Sequence, residues 1–147
     1  MNRSIASPRT TSRLACFLAG LTMMAAPAAA ESGESYVEVL TALQGGKPVT
    51  LILDLGSCAV EGTGKSGPPL KGGLQIKAFM ITPAKGLLFS DVHQTLDGTD
   101  QPVTEYIRYN LKSDGQLTLA VTRQTNAGMM KRDTLVCQLS VGAKFIW

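Results

Sequence analysis

The sequence predicts a mainly β protein, an antiparallel meander closed into a small barrel or a sandwich, with one short N-terminal helix. After Pro48 the chain consists of runs rich in β-branched and aromatic residues, separated by Gly, Pro, Asp and Asn. The connections between these runs, such as Asp114-Gly115 and residues 97–102, are short enough for hairpins and too short for parallel crossovers. Two cysteines, Cys58 and Cys137, lie near the two ends of the strand-rich region, where a bridge would tie the ends of the sheet together.

Residues 1–30 are typical of a signal peptide. Three arginines precede a short apolar run that ends in small residues: Arg3, Arg9 and Arg13, then Leu14 to Met24, then Ala28-Ala29-Ala30. The apolar run is too short to span a membrane, and its flanks indicate a secretory signal that is cleaved after Ala30. Arg13 stands three residues before Cys16, where a lipoprotein signal has an aliphatic residue, so no lipid is expected on Cys16. We therefore expect a periplasmic or secreted protein that does not span a membrane after cleavage.

Residues 31–147 are expected to form a single β-rich domain, because a chain of this length buries roughly 60–70% of its unfolded surface around one core. The full chain has a net charge of +3. The signal segment contains three arginines and no Asp or Glu, so its removal leaves eleven Lys and Arg against eleven Asp and Glu. This balance gives no support for a nucleic-acid partner or for an anionic membrane surface as a partner.

One short helix is predicted over residues 36–44. Ser35 is a suitable N-cap, and Glu38 follows at the capping-box spacing. Apolar residues then recur at helical intervals, at Tyr36, Val39, Leu40 and Leu43. Gly45-Gly46 supplies a left-handed end to this helix.

Six segments are predicted as strands: 49–55, 74–82, 87–96, 103–111, 116–124 and 134–147, the last with a break near Gly142. Side chains alternate clearly in two of them. Leu74, Ile76, Ala78 and Met80 are expected on one face of their strand, and Leu117, Leu119 and Val121 on one face of theirs. Such alternation is typical of strands that are buried on one side.

The two cysteines that remain after cleavage predict a disulfide between Cys58 and Cys137. Their separation does not match a zinc knuckle or a CxxC redox motif, and export favours oxidation. In the loop-entropy model a bridge over so long a loop stabilises the fold by roughly 4–5 kcal/mol. The alternative is a pair of buried thiols.

The strands 87–96 and 103–111 are predicted to form a hairpin with a polar outer face. If Leu88, Val92 and Leu96 face the apolar residues of the second strand, then Leu96 lies opposite Val103. Three cross-strand pairs then share the polar face: Asp91 with Arg108, His93 with Tyr106, and Thr95 with Thr104. The four residues Asp91, His93, Tyr106 and Arg108 are therefore expected to lie together.

This polar patch is the candidate ligand-binding site. Arg108 would bind an anion, His93 and Tyr106 would form hydrogen bonds, and Asp91 would hold Arg108 in place. The alternative is an ordinary exposed surface, since cross-strand ion pairs and aromatic neighbours are common on the solvent face of a sheet.

An enzyme centred on His93 is a further alternative, and a structural component of the cell envelope is another. His93 is the sole histidine of the chain. A zinc hydrolase normally uses three protein ligands, and Asp91, His93 and Glu105 are not expected to point the same way. A serine hydrolase of the GxSxG type lacks its motif. The sequence therefore predicts no metal and no cofactor, and it favours binding over catalysis without excluding an enzyme.

Several strings in the chain resemble the VirK family. They are Val49–Leu55 ending at Cys58, Gly73–Phe79, Phe89–His93 and Thr104–Tyr109, with a second cysteine near the C-terminus. The resemblance covers nearly all of residues 31–147. It implies a small exported bacterial protein of a family named for its association with virulence regions, in the cell envelope or facing a host. It implies no activity and no site residues. The function expected is that of a disulfide-linked, non-enzymatic β-domain that binds a protein partner or a small ligand.

Overall fold

The computed structural model describes residues 32–147, which form one α-helix, one short 3-10 helix at Leu55–Ser57 and eleven strands in two antiparallel sheets. The predicted signal peptide and its cleavage site lie outside the described residues. The elements are β1 Ser32–Gly33, α1 Tyr36–Gln44, β2 Thr50–Asp54, β3 Ala59–Val60, β4 Lys71–Gln75, β5 Phe79–Thr82, β6 Gly86–Leu96, β7 Pro102–Leu111, β8 Gln116–Thr125, β9 Gly128–Lys131, β10 Leu135–Gln138 and β11 Ala143–Ile146. In this part of the chain no helix is long and apolar enough to cross a membrane.

The predicted helix is confirmed, with its capping box. The Ser35 hydroxyl accepts a hydrogen bond from the Glu38 N–H at 3.3 Å, and the Glu38 carboxylate accepts one from the Ser35 N–H at 3.0 Å. The hydrogen bond from the Ser35 side chain, with those from backbone N–H groups, lowers the pKa of Glu38. Gly46 has a φ of 74°, which is the left-handed conformation expected after the helix.

The small sheet has the strand order β1-β11-β2-β4, and the large sheet has the order β3-β10-β8-β7-β6-β5 with β9 also paired to β8. The mainly β, antiparallel class is thus confirmed. Over residues 32–147 each sheet ends in edge strands and neither closes on itself, so the barrel is not confirmed. Both sheets contribute instead to one core, in which Phe145 of β11 contacts Phe89 of β6 edge to face at 6.4 Å between ring centroids.

The prediction of one continuous strand over residues 74–82 is wrong. Its first part ends in β4 of the small sheet at Gln75, and its second part begins β5 of the large sheet at Phe79. Leu74 and Met80 therefore lie in different sheets. The alternation of apolar residues continued through the crossing, which hid the break from a pattern based on sequence alone.

Three short strands were not predicted: β1, β3 and β9. The pairing of β9 with β8 differs by one residue from the pairing of β10 with β8, because the three residues 132–134 lie opposite only two residues of β8. The predicted break in the last segment is confirmed, since β10 ends at Gln138 and β11 begins at Ala143.

The structure contains the predicted disulfide between Cys58 and Cys137, whose Cα atoms are 4.4 Å apart. Cys58 immediately precedes β3, and Cys137 lies in β10, the strand that pairs with β3 in the large sheet. Both residues are buried. The bridge therefore links two neighbouring strands at one edge of the large sheet rather than the two ends of a sheet.

Candidate functional site

The predicted register of the β6–β7 hairpin is wrong by one residue. Leu96 lies opposite Pro102 rather than Val103, and this shift runs along both strands. Arg108 consequently lies opposite Ser90, Tyr106 opposite Val92, and His93 opposite Glu105. Because a shift of one residue exchanges the two faces of a strand, the expected common patch is divided.

The turn at residues 97–101 sets this register. The Asp97 carboxylate accepts hydrogen bonds from the backbone N–H groups of Thr99 at 2.8 Å and Gln101 at 3.1 Å. These bonds, together with one from the Thr99 hydroxyl, which is the largest cause, lower the pKa of Asp97. Asp100 completes the turn with a φ of 58°. An Asp that binds backbone groups two to four residues ahead stabilises a five-residue loop, and the strands must pair from its ends.

The core also favours the observed register. Leu87 and Phe89 are buried, with Phe89 between Tyr109 and Phe145, whereas Val92 is 55% exposed. Burial of an aromatic ring removes more apolar surface from water than burial of Val or Leu. The sequence-based alignment places Leu88, Val92 and Leu96 in the core. In the structure the opposite face of β6, which carries Leu87 and Phe89, is buried instead.

Two of the four predicted site residues, Asp91 and His93, lie on the face of the large sheet that carries the core, here called the inner face. The other two, Tyr106 and Arg108, lie on the opposite face, called the outer face. Asp91 and His93 remain exposed because they lie past the buried part of β6. The expectation that Asp91, His93 and Glu105 point in different directions is wrong, since all three lie on the inner face. They do not form a three-ligand metal cluster within residues 32–147.

His93, Glu105 and Arg123 form a row across β6, β7 and β8. Arg123 Nε donates to Glu105 Oε1 at 2.9 Å, and His93 Nδ1 lies 3.7 Å from Glu105 Oε2. The Glu105 side chain is only 16% exposed, so the arginine provides the charge that its burial requires. The row is an ion-pair network, and its charges largely balance.

Arg108 lies in a different environment, a cavity of about 430 Å³ on the outer face, here called the basic pocket. Its lining residues are Ala84, Lys85, Leu88, Arg108, Tyr109, Asn110, Lys112, Thr118 and Ala120. None of these described residues is acidic. The floor consists of two cross-strand rows, Leu88-Asn110-Thr118 and Arg108-Ala120. Three cationic side chains therefore border one pocket.

Two turns at the same end of the large sheet bring the lysines of the basic pocket together. Lys85 lies between β5 and β6, where its N–H donates to the Thr82 hydroxyl at 3.1 Å. Lys112 lies between β7 and β8, and its N–H donates to the Gln116 carbonyl at 2.9 Å. Gly86 follows the first turn with a φ of 80°, and a Cβ there would lie 2.5 Å from the Leu111 carbonyl oxygen. Only glycine allows this close approach of the two turns.

The floor of the basic pocket holds an unsatisfied polar group. The amide oxygen of Asn110 is buried and has no hydrogen-bond donor within the described structure. Most buried polar atoms in folded proteins have a partner, so an orphaned acceptor in a pocket wall is informative about ligands. At the rim, Lys112 Nζ donates to Gln116 Oε1 at 3.0 Å.

Sequence reasoning identified Arg108 but missed Lys85, Asn110 and Lys112. A usable signal was present, because alternate hairpin turns of a meander lie at the same end of a sheet. Each of the two turns carries a lysine close to a turn glycine, in Lys85-Gly86 and in Lys112 through Gly115. Counting turns would have placed both lysines at one end.

The fold and the basic pocket define a small antiparallel β protein with two sheets, a disulfide within the large sheet, and a cationic pocket on the outer face of that sheet. The model of the VirK family, described as VirK protein, matches residues 32–128, which is more than half of the chain. The chain belongs to the VirK family.

Relatives and a solved structure support this assignment. The chain is 37% identical over 95 residues to the uncharacterized protein y4wH of Sinorhizobium fredii, covering 61% of this chain and 66% of the relative. It is 37% identical over 79 residues to an uncharacterized protein in the pinF2 3' region of Rhizobium radiobacter, covering 54% of each. The matches thus span about half to two thirds of these relatives. The crystal structure of lpg1832, a VirK family protein from Legionella pneumophila, has a similar fold, with a TM-score of 0.64, 23% identity, and coverage of 78% of this chain and 97% of that chain.

Proposed function

We propose that this protein is an exported, non-enzymatic binding module of the cell envelope or host-facing space, and that its ligand is a small anion bound in the basic pocket. One observation carries the proposal: Lys85, Arg108 and Lys112, from three separate segments, border a single cavity with no acidic lining residue. The signal-like segment at residues 1–30 supports export, and the family's association with virulence regions supports a host-facing role.

The charges of the basic pocket are available for a ligand. Within residues 32–147, neither Lys85 nor Arg108 forms an ion pair. Arg123, by contrast, is fully engaged with Glu105 on the inner face. A guanidinium group presents parallel N–H donors that match a carboxylate or phosphate, and lysines at the rim add attraction without fixed geometry. The pocket therefore favours a carboxylate or phosphate group next to Arg108.

The floor of the pocket narrows the ligand class. Asn110 has an acceptor without a donor, and Thr118 lies opposite it in the same row. The terminal torsion of an Asn side chain is soft, so the amide can turn toward a ligand that supplies an O–H or N–H donor. A hydrogen bond from the ligand to Asn110 Oδ1 would remove the free-energy cost of leaving this buried oxygen without a donor, which is about 1–3 kcal/mol. The preferred ligand is therefore a small anion that also carries hydroxyl groups.

Titration of residues 31–147, with the disulfide intact, tests this function. We expect gluconate to bind saturably and to shift amide resonances of residues 85–88, 108–112 and 118–120. Acetate, which lacks the hydroxyl groups, and glucose, which lacks the charge, should bind more weakly. Arg108→Ala should weaken gluconate binding about tenfold or more, as expected for loss of a charged hydrogen-bond pair.

Matched variants distinguish binding in the basic pocket from non-specific attraction of the anion to positive charge. Arg132 is an exposed arginine that does not line the basic pocket, so Arg132→Ala should leave gluconate binding unchanged. Asn110→Leu, which keeps the shape but removes the acceptor, should abolish the preference for gluconate over acetate. Absence of saturable binding by gluconate and inorganic phosphate would overturn the proposal, as would equal losses in Arg108→Ala and Arg132→Ala.

The proximity of His93 to Glu105 favours a second candidate function, a small hydrolase. A carboxylate beside an imidazole can orient it as a general base. Glu105 is held by Arg123, however, and His93 Nδ1 is 3.7 Å away, beyond a hydrogen bond. Hydrolysis of simple esters that is lost in His93→Ala and retained in Arg108→Ala would support this function over anion binding.

A further inference from the structure

The basic pocket adjoins a second cavity of about 430 Å³ on the outer face, here called the apolar cavity. The two cavities share four lining residues: Lys85, Leu88, Arg108 and Tyr109. Five further residues line only the apolar cavity, and Ser90 is the sole polar one among them. None of these described residues is acidic. The two cavities therefore form one site with a cationic end and an apolar end.

The strand register explains why the cavities adjoin. Two cross-strand rows run through both of them, Met80-Leu88-Asn110-Thr118 and Ser90-Arg108-Ala120. Met80 lines only the apolar cavity, Asn110 lines only the basic pocket, and Leu88 between them lines both. Because neighbouring strands lie about 4.8 Å apart, Met80 is roughly 10 Å across the sheet from Asn110. A ligand of two linked rings is long enough to contact both residues.

The apolar end of this site is accessible. Met80 is 61% exposed, and Leu88, its partner in β6, is half-buried. Ligand sites in proteins combine a mostly apolar lining with a few polar groups that fix the orientation of the ligand. An anion confined to the basic pocket would leave the Met80 side chain in water, whereas a ligand that also covers Met80 gains free energy from burial of apolar surface.

We propose that the anion bound in the basic pocket carries an aromatic ring, and that this ring lies in the apolar cavity against Met80 and Leu88. The inference rests on the proposed anion-binding function and names its ligand class. The ligand is a hydroxylated carboxylate with an aryl substituent, of which an aryl glycoside of a sugar acid is an example.

Arg108 and Met80 favour an aromatic ring over an alkyl group. A guanidinium group that binds a carboxylate along its edge keeps its planar face free for stacking on a ring. Arg108 lines both cavities, so one side chain serves both contacts. The Met80 thioether adapts its shape and makes favourable contacts with the edge of a ring. An alkyl group would cover the same surface without either interaction.

Calorimetric titration of residues 31–147, with the disulfide intact, tests the ligand class. Methyl and phenyl β-D-glucuronide share the carboxylate and the hydroxyl groups and differ only in the group on the anomeric oxygen. We expect the phenyl compound to bind about tenfold more tightly, because part of its ring is buried. Cyclohexyl β-D-glucuronide has a ring of similar size without a π-face and should bind with intermediate affinity. Equal binding of the cyclohexyl and phenyl compounds would overturn the aromatic assignment.

Two methionines on the outer face provide a matched pair of variants. Met80→Gln keeps the length of the side chain but makes it polar, so it should remove the preference for the phenyl compound and leave methyl glucuronide binding unchanged. Met129 is 62% exposed on the same face and lines neither cavity. Met129→Gln should therefore leave the binding of both compounds unchanged. Arg108→Ala should weaken the binding of both.

Nuclear Overhauser effects locate the ring. We expect contacts between the phenyl protons and the Met80 methyl group, and none with the Met129 methyl group. Equal affinity for the methyl and phenyl compounds would overturn this inference and leave the anion-binding function intact. Absence of binding by both compounds and by gluconate would overturn both proposals. Equal losses in Met80→Gln and Met129→Gln would also overturn the inference, as would binding to phosphatidylglycerol vesicles that Met80→Gln abolishes, which would assign the cavity to a lipid surface.

Discussion

The ring of Phe89 stacks on the ring of Tyr109, with centroids 4.8 Å apart and planes inclined by 9°. The two residues lie directly opposite each other in β6 and β7, and Phe145 of the small sheet contacts Phe89 edge to face. This contact links the hairpin register to the packing between the sheets. A shift of one residue would separate the stacked rings and turn Phe89 toward solvent.

Phe89→Ala should therefore be among the most costly substitutions in the hairpin. Loss of a buried phenylalanine destabilises a fold by about 3–5 kcal/mol. Val92→Ala, at an exposed position three residues further along, should change the free energy of unfolding by less than about 0.5 kcal/mol. Urea denaturation of both variants measures the difference. A larger cost for Val92→Ala than for Phe89→Ala would contradict the observed register and support the one predicted from sequence.

The Tyr109 hydroxyl should lose its proton at a higher pH than an exposed tyrosine does. Burial, with a smaller effect of the Asp91 carboxylate, raises the pKa of Tyr109 to about 12. Because the folded protein holds this proton more tightly than the unfolded chain, stability should fall as the pH rises from about 10 through 12, by about 2 kcal/mol at pH 12. Difference absorbance titration of wild type against Tyr109→Phe isolates this group. A Tyr109 titration near pH 10 in folded protein would contradict the burial of its hydroxyl.

Much of the fold was predictable because its signals are local. The capping box of Ser35 and Glu38 predicts the helix from four residues, and strict alternation at Leu117 and Leu119 predicts the buried face of β8. The crossing between sheets near Ile76 was not predictable, since the alternation continued through it. The register of β6 and β7 depends on how Asp97 closes its turn and on which aromatic residues meet across the core. Both depend on tertiary contacts, which the periodicity of the sequence does not reveal.

The candidate site shows the same limit. Arg108 could be selected as an anion ligand from its residue type alone, but its partners come from two turns and from a neighbouring strand. Lys85 and Lys112 are distant in sequence, and Asn110 is notable only because its buried oxygen lacks a donor. The pairing of Asp91 with Arg108 failed because one residue of register exchanges the faces of the sheet.

A side chain at Gly142 should clash with the disulfide. A Cβ added there would lie 2.7 Å from Cys58 Sγ, whereas a Cβ at Gly72 meets nothing within 4 Å. We expect Gly142→Ala to destabilise the fold by about 1–3 kcal/mol and Gly72→Ala to have little effect. Cys58→Ala alone should cost about 2–5 kcal/mol, and the added cost of Gly142→Ala should shrink in that background. Thermal denaturation of the four variants measures the coupling. Equal effects at Gly142 and Gly72 would contradict the close packing at the bridge.

Export predicts that the mature protein begins at Glu31. The structure gives a reason why cleavage should not occur later. β1, at Ser32–Gly33, pairs with β11, and Gly33 lies so close to Trp147 that a Cβ there would come within 2.7 Å of the indole ring. Cleavage after Ala30 leaves this strand whole, whereas loss of three further residues would remove it. The intact mass of the protein from the cell envelope should therefore correspond to residues 31–147 less two hydrogen atoms for the disulfide. Reduction by a thiol or phosphine reagent should add those two hydrogen atoms without changing the N-terminus. Recovery of the protein with Met1 retained, or with a lipid on Cys16, would exclude the proposed export route.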